Sequence, residues 1–196
     1  SRHKLKKQGV EIRSSNYTLY GDMSQRLMRL LKEHCEQIEI YSIDEAFAHI
    51  NHHSHNDFIV WARRLRVLAR QNLGLPISIG LGASKGQAKI ANYLAKNVPA
   101  HAGVFDLLNT KDLDMWLGTI NIEDVWGIGQ KLAHWCRMRG VNTALQLLNM
   151  PSNELRAKCG VVGVRLQYEL RGQSCLPLTL EPAPKKETCV SRSFSH

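Results

Sequence analysis

Two adjacent carboxylates, Asp44 and Glu45, interrupt the otherwise apolar stretch from Ile38 to Ile50. Successive side chains on a regular strand point to opposite faces, so both reach one site only where the strand bends or ends. Two carboxylates and one further oxygen ligand can hold Mg²⁺, which fills the rest of its shell with water and substrate phosphates. The chemistry of such a site is phosphoryl or nucleotidyl transfer, in which one ion lowers the pKa of an attacking hydroxyl and two ions stabilise the transferring phosphate. An isolated Asp-Glu pair is far more often an acidic turn facing water. The residues around it must decide.

Three other groupings have the types and spacing for chemistry. Gly127-Ile128-Gly129, followed by Gln-Lys131-Leu-Ala, a helix and then Gly140-Val, has the spacing of a helix-hairpin-helix. Its glycines let the backbone approach a phosphate, its amides open a helix where negative charge is favoured, and Lys131 is placed to assist. The loop Gly80-Leu-Gly82-Ala-Ser-Lys85-Gly86 fits neither a dinucleotide fingerprint, which wants glycine where Lys85 stands, nor a P-loop, which wants Gly-Lys-Ser/Thr. Its bare face suits close packing, with Lys85 and Lys89 candidates to face a DNA phosphate. His49, His52, His53 and His55 crowd together, yet no acidic or cysteine partner stands at zinc spacing, so a solvated loop is expected. Trp116, Trp126 and Trp135 are expected to pack the core of the helical segment around them.

Local patterns indicate what positions these residues. From Asp22 to Cys35, Met23, Leu27, Leu30 and Leu31 recur at helical spacing. Ile38 to Ile50 reads as a hairpin with Ser42 to Glu45 near its tip, Ile38 and Ile40 on one face and Glu39 and Tyr41 on the other. Phe58 to Arg70 reads as a helix with Arg63, Arg64, Arg66 and Arg70 outward. Pro76 to Ala83 is a strand, Gln87 to Lys96 a helix and Gly103 to Asp106 a short strand. Together these predict an α+β unit with a mainly antiparallel sheet. From Leu107 to Gly172 the pattern is all-helical, broken at Gly118, Gly127, Gly129, Gly140, Pro151, Gly160 and Gly172. Residues 173–196 are richer in proline and read as a linker.

The charge of +9 is unevenly placed. Residues 1–13 carry five Lys or Arg against one Glu, and residues 125–172 carry seven against two, while the rest is balanced. Such a field suits a polyanion, nucleic acid first. Cysteines 35, 136, 159, 175 and 189 form no Cys-x-x-Cys pair, which points away from a zinc site or disulfide framework and toward a cytoplasmic setting. No apolar run approaches the roughly 20 residues of a membrane span.

The string SSNYTLYGDMSQRLMRLLKEHCEQIEIYSIDEAFAHI at 14–50 closely resembles the palm of Y-family translesion DNA polymerases of the UmuC type. The likeness continues through ISIGLGASKGQAKIANYLAK at 77–96, DVWGIGQK at 124–131, YELRGQSCLPL and KKETCVSRSF. It implies the end of the fingers at 1–15, a partial palm at 16–106, a helix-hairpin-helix thumb at 107–172, and a linker at 173–196 toward a little-finger domain. It also implies template-directed nucleotidyl transfer past damaged bases, with primer-template DNA and deoxynucleoside triphosphate as substrates and two Mg²⁺ ions. Asp44 and Glu45 match the family's metal ligands, and Lys96 its lysine on the triphosphate. Gly127, Gly129 and Lys131, with Lys85 and Lys89, are the expected DNA contacts. A UmuD-type dimer and a RecA filament, in the SOS response, are the implied partners. The family's other carboxylate lies on a first palm strand whose match is not among these residues, so the 196-residue chain alone is expected to bind DNA without extending a primer. The competing readings are a non-catalytic DNA-binding module and, last, another two-metal nucleotidyl enzyme such as a cyclase.

Overall fold

The computed structural model describes residues 5, 7–11, 13–50 and 55–180. Helix α1 spans Tyr17–His34 and starts five residues before the expected point, because the Asn16 side chain accepts the Leu19 N–H at 3.0 Å and caps it. It buries Leu27, Met28 and Leu30. Strands β1 (Gln37–Ile40) and β2 (Ala46–His49) form the expected antiparallel hairpin, with Ile38 opposite Ala48 and Ile40 opposite Ala46. The faces are not divided as hydrophobicity suggests: Ile40 is 51% exposed, whereas the Glu39 side chain is 12% exposed.

Helix α2 (His55–Leu73) turns Phe58, Ala62, Leu65 and Ala69 inward. Arg63, Arg64 and Arg70 face water, but Arg66 does not stand with them. Its guanidinium donates to the Ile77 carbonyl at 2.6 Å and to the Ala102 carbonyl, tying α2 to the segments that enter the next two strands. Those strands, β3 (Ile79–Leu81) and β4 (Val104–Asp106), pair in parallel, unlike the hairpin, with Ile79 opposite Val104. The crossover helix between them, α3 (Lys85–Asn97), imposes that direction. It lies so close to β3 that a Cβ on Gly80 would overlap the backbone of Ala88, Ala91 and Asn92, and one on Gly82 would come within 2.5 Å of the Ala88 nitrogen. The bare strand face thus serves close packing, as its glycines suggested.

Beyond Asp106 the chain is helical as expected: α4 (Leu113–Thr119), α5 (Gln130–Arg137), α6 (Ala144–Asn149) and α7 (Ser152–Leu170). Gly127, Gly140, Gly160 and Gly172 take positive φ at the breaks, with Gly160 interrupting α7; Gly118 instead stays inside α4. Thr143 opens α6 with a reciprocal cap to Gln146. One buried cluster runs from Ile90 and Leu94 on α3 through Leu117, Ile120, Leu147 and Leu155 to Leu170. Helix α3 therefore belongs as much to the helical segment as to the strands. Leu27, Leu30 and Ala69 form a separate, smaller cluster under the hairpin side.

Candidate active site and nucleic-acid interface

The hairpin tip is closed by its own backbone. Tyr41 and Ser42 both donate their N–H groups to the Glu45 carbonyl at 3.0 Å, and the Ser42 hydroxyl donates to Asp44 Oδ1 at 2.7 Å. This bend lets Asp44 and Glu45 line one cleft, of about 390 Å³, although they are sequence neighbours. The cleft lies between β2 and β3 and is floored by α1 and α2. Both carboxylates are exposed. Asp44 Oδ1 is occupied by Ser42, while Glu45 Oε1 accepts from Lys89 Nζ at 2.7 Å.

Lys89, expected on DNA, is thus bound to one of the acidic pair, with its ammonium 5.8 Å from the Tyr41 ring centre. Lys85, the other expected phosphate contact, is 10% exposed and pairs with Glu39 at 2.5 Å. Its ammonium also donates to the Pro177 carbonyl at 3.0 Å and sits 5.2 Å from the Phe47 ring centre. Neither lysine stands on an open surface, because each finds an acidic partner from the hairpin. Burial pushes the Glu39 carboxyl up, but hydrogen bonds from Lys85 and the Thr179 N–H, with the Lys85 charge, outweigh it and hold the group below the ordinary glutamate value.

Sequence reasoning missed how the helical segment meets the hairpin. Trp126 does not fill the core of its own segment; its indole N–H donates to the Tyr41 hydroxyl at 3.2 Å. Tyr41, Phe47 and Trp126 form a triangle with ring centres 5.5, 5.8 and 5.6 Å apart. No local pattern links positions 85 residues apart, although two aromatics flanking an acidic pair were a signal that the tip is packed. Trp116 packs on His101 and Phe105, and Trp135 lies under Arg139.

Immediately after Trp126 comes the glycine turn. Gly127 has φ of 89°, Ile128 is buried as its anchor, and Gly129 is the N-cap of α5. Gly127, Gly129 and Lys131 are all exposed. The opening turn of α5 therefore lies at the surface with Lys131 on it, and a helix start is where negative charge is favoured. Lys96 is exposed in the last turn of α3. It shares a helical stripe with Lys85, Lys89 and Asn92, about 10 Å along the axis from Lys89 at 1.5 Å per residue.

His52 and His53 lie outside the described residues; His55 opens α2, and His49 stands 4.0 Å from Glu36. Among the described residues no group of three or more His, Cys, Asp or Glu is placed to share a metal. Burial pushes the Cys35 thiol up to about 11 and raises Cys136 and Cys159, so these are not activated nucleophiles. The donor chemistry of Asp44 and Glu45, two carboxylates on one cleft, suits a hard cation such as Mg²⁺, with further oxygens still required.

The α+β unit and the glycine-turn helical segment together share the fold of solved error-prone DNA polymerases. A DinB-family error-prone DNA polymerase from Sulfolobus solfataricus superposes with a TM-score of 0.71 at 21% identity, over 90% of this chain and 58% of that one. Residues 1–93 match the impB/mucB/samB family. It is 36% identical to Protein UmuC of Salmonella typhimurium over 98% of its own length and 46% of that protein. It is also 31% identical to DNA polymerase IV of Moorella thermoacetica, over 83% of the chain and 40% of the relative. The chain spans about half the length of the curated relatives it matches.

Proposed function

We propose that this chain is the palm and thumb of an error-prone translesion DNA polymerase, acting in template-directed nucleotidyl transfer on a primer-template with deoxynucleoside triphosphates. The observation that carries this reading is one juxtaposition. Asp44 and Glu45 share a cleft mouth, and the same hairpin packs through Tyr41 and Phe47 against the Trp126-Gly127-Ile128-Gly129 turn. A DNA-binding module without catalysis has no use for adjacent carboxylates beside its phosphate-binding turn.

Asp44 and Glu45 would hold Mg²⁺, which when bound supplies charge stabilisation at the transferring phosphate and activates the primer hydroxyl. A third oxygen ligand beside them would complete the protein's share of the shell. Within the described residues each strand has a hydrogen-bonded partner on one side only, β1 for β2 and β4 for β3. Lys89 balances Glu45 in the folded chain and is positioned to release it to a stronger cation. Lys96 supports the nucleotide triphosphate, while Gly127, Gly129 and Lys131 hold the duplex backbone without reading bases. By the same family likeness the partners are a UmuD-type dimer and a RecA filament, and the setting is cytoplasmic.

Fluorescence anisotropy on a primer-template tests the nucleic-acid half of this reading. Affinity is expected to fall steeply from about 50 to about 200 mM salt, as phosphate neutralisation requires. Absent binding, or binding indifferent to salt, overturns it.

A further inference from the structure

Four consecutive residues, Ser84 to Gln87, touch three distant parts of the chain. The Ser84 hydroxyl donates to the Glu169 carbonyl at 2.5 Å, and the Gln87 amide donates to the Leu170 carbonyl at 3.2 Å. Between them the Gly86 N–H donates to Glu169 Oε2 at 2.8 Å, while Oε1 of the same carboxylate accepts the Cys175 N–H at 2.6 Å. Glu169 is 1% exposed, so its carboxyl group is held by backbone donors in a dry contact at the start of α3. Only glycine permits the approach, since a Cβ on Gly86 would stand 2.7 Å from the Glu169 Cβ. Lys85 reaches the hairpin's Glu39 and the Pro177 carbonyl, and Glu39 in turn takes the Thr179 N–H.

We infer that Ser84–Gln87 and Glu169 form a clasp between palm and thumb, which fixes the orientation of the helical segment to the acidic hairpin and seats the chain leaving α7 on the palm. The loop that fits no phosphate-binding pattern is thereby given a task of its own. Glu169, buried and remote from the cleft mouth, is a positioning residue. The consequence for DNA rests on the polymerase reading, whereas the clasp itself does not.

Hydrogen exchange by mass spectrometry on the 196-residue chain, paired with primer-template anisotropy, tests it. In Glu169→Gln, one of the two N–H donors loses its acceptor, so amides at 84–88 and 173–176 are expected to exchange about tenfold faster or more. Exchange in α6 should stay within about twofold, and Kd should rise roughly threefold to tenfold at unchanged salt slope. Lys85→Met should loosen 177–179 alone. Unchanged exchange at 84–88 and 173–176 overturns the clasp, as does equal acceleration throughout the chain, which would make Glu169 an ordinary stabilising group. If Glu169→Gln does not fold, Gly86→Ala must give the same selective pattern, and uniform destabilisation there counts against the clasp. Selective loosening with unaltered DNA affinity would overturn the orienting role. Selective loosening in a chain that never binds DNA would support the clasp and sink the polymerase reading instead.

Discussion

Under the acidic hairpin the buried cluster consists of Leu27, Leu30 and Ala69, whereas α3 and the helical segment share one that runs unbroken from Ile90 to Leu170. The hairpin side keeps a cleft of about 390 Å³ between its two strand pairs; the helical side is filled with side chains at or near zero exposure. The contrast separates two tasks. On the proposed reading, a site that admits an ion, a nucleotide and a primer end is not packed shut, and α3 ties it to the neighbouring core. That helix carries Ile90 and Leu94 into the core on one face and Lys89 toward Glu45 on another.

The largest effects should therefore come from the helical side. Leu147→Ala, at a site with no exposure, is expected to cost about 2–5 kcal/mol in chemical denaturation. Leu30→Ala, at 8% exposure in the small cluster, should cost clearly less. Equal losses would dissolve the distinction between the two regions. Next comes the seam between them: Gly80→Ala forces a methyl into the α3 backbone and should cost about 1–3 kcal/mol or more, read as a lowered denaturation midpoint.

Surface changes at the interface should leave stability alone. Lys131→Ala is expected to weaken primer-template binding at every sequence and to reduce the salt slope by about 0.9, with denaturation unaltered. A sequence-dependent loss would give this turn a role in base reading. The smallest effect concerns Glu39. Because its folded pKa is lowered, its bonds to Lys85 and Thr179 contribute above the ordinary glutamate value and are lost as pH falls through the lowered one. The Thr179 amide signal in a pH titration should thus hold down to about pH 4.3 and change below it.

Much of this layout was legible in the sequence. Alternation around Asp44 and Glu45 located the hairpin, glycine positions marked the breaks between the later helices, and Gly80 and Gly82 announced close packing. What stayed hidden were pairings across long separations. Charge pattern alone made Lys85 and Lys89 surface cations, because nothing local shows that Glu39 and Glu45 would be brought to them by the hairpin. Hydropathy likewise placed Trp126 in its own helical core and Arg66 in water, whereas tertiary contacts drew one to Tyr41 and the other to the Ile77 carbonyl. Glu169 reads as an ordinary helix residue until Gly86 and Cys175 are seen to share its carboxylate.

The role of the acidic pair is tested most directly by Mn²⁺ binding, followed by electron paramagnetic resonance, with primer-template and a deoxynucleoside triphosphate present. The wild-type chain should bind the ion measurably more tightly than the same mixture does without protein. Asp44→Asn and Glu45→Gln should each abolish that gain while leaving the fold and DNA affinity intact. Mn²⁺ binding unchanged in the double variant would contradict a metal-holding role for the hairpin tip and leave Asp44 and Glu45 as an acidic turn.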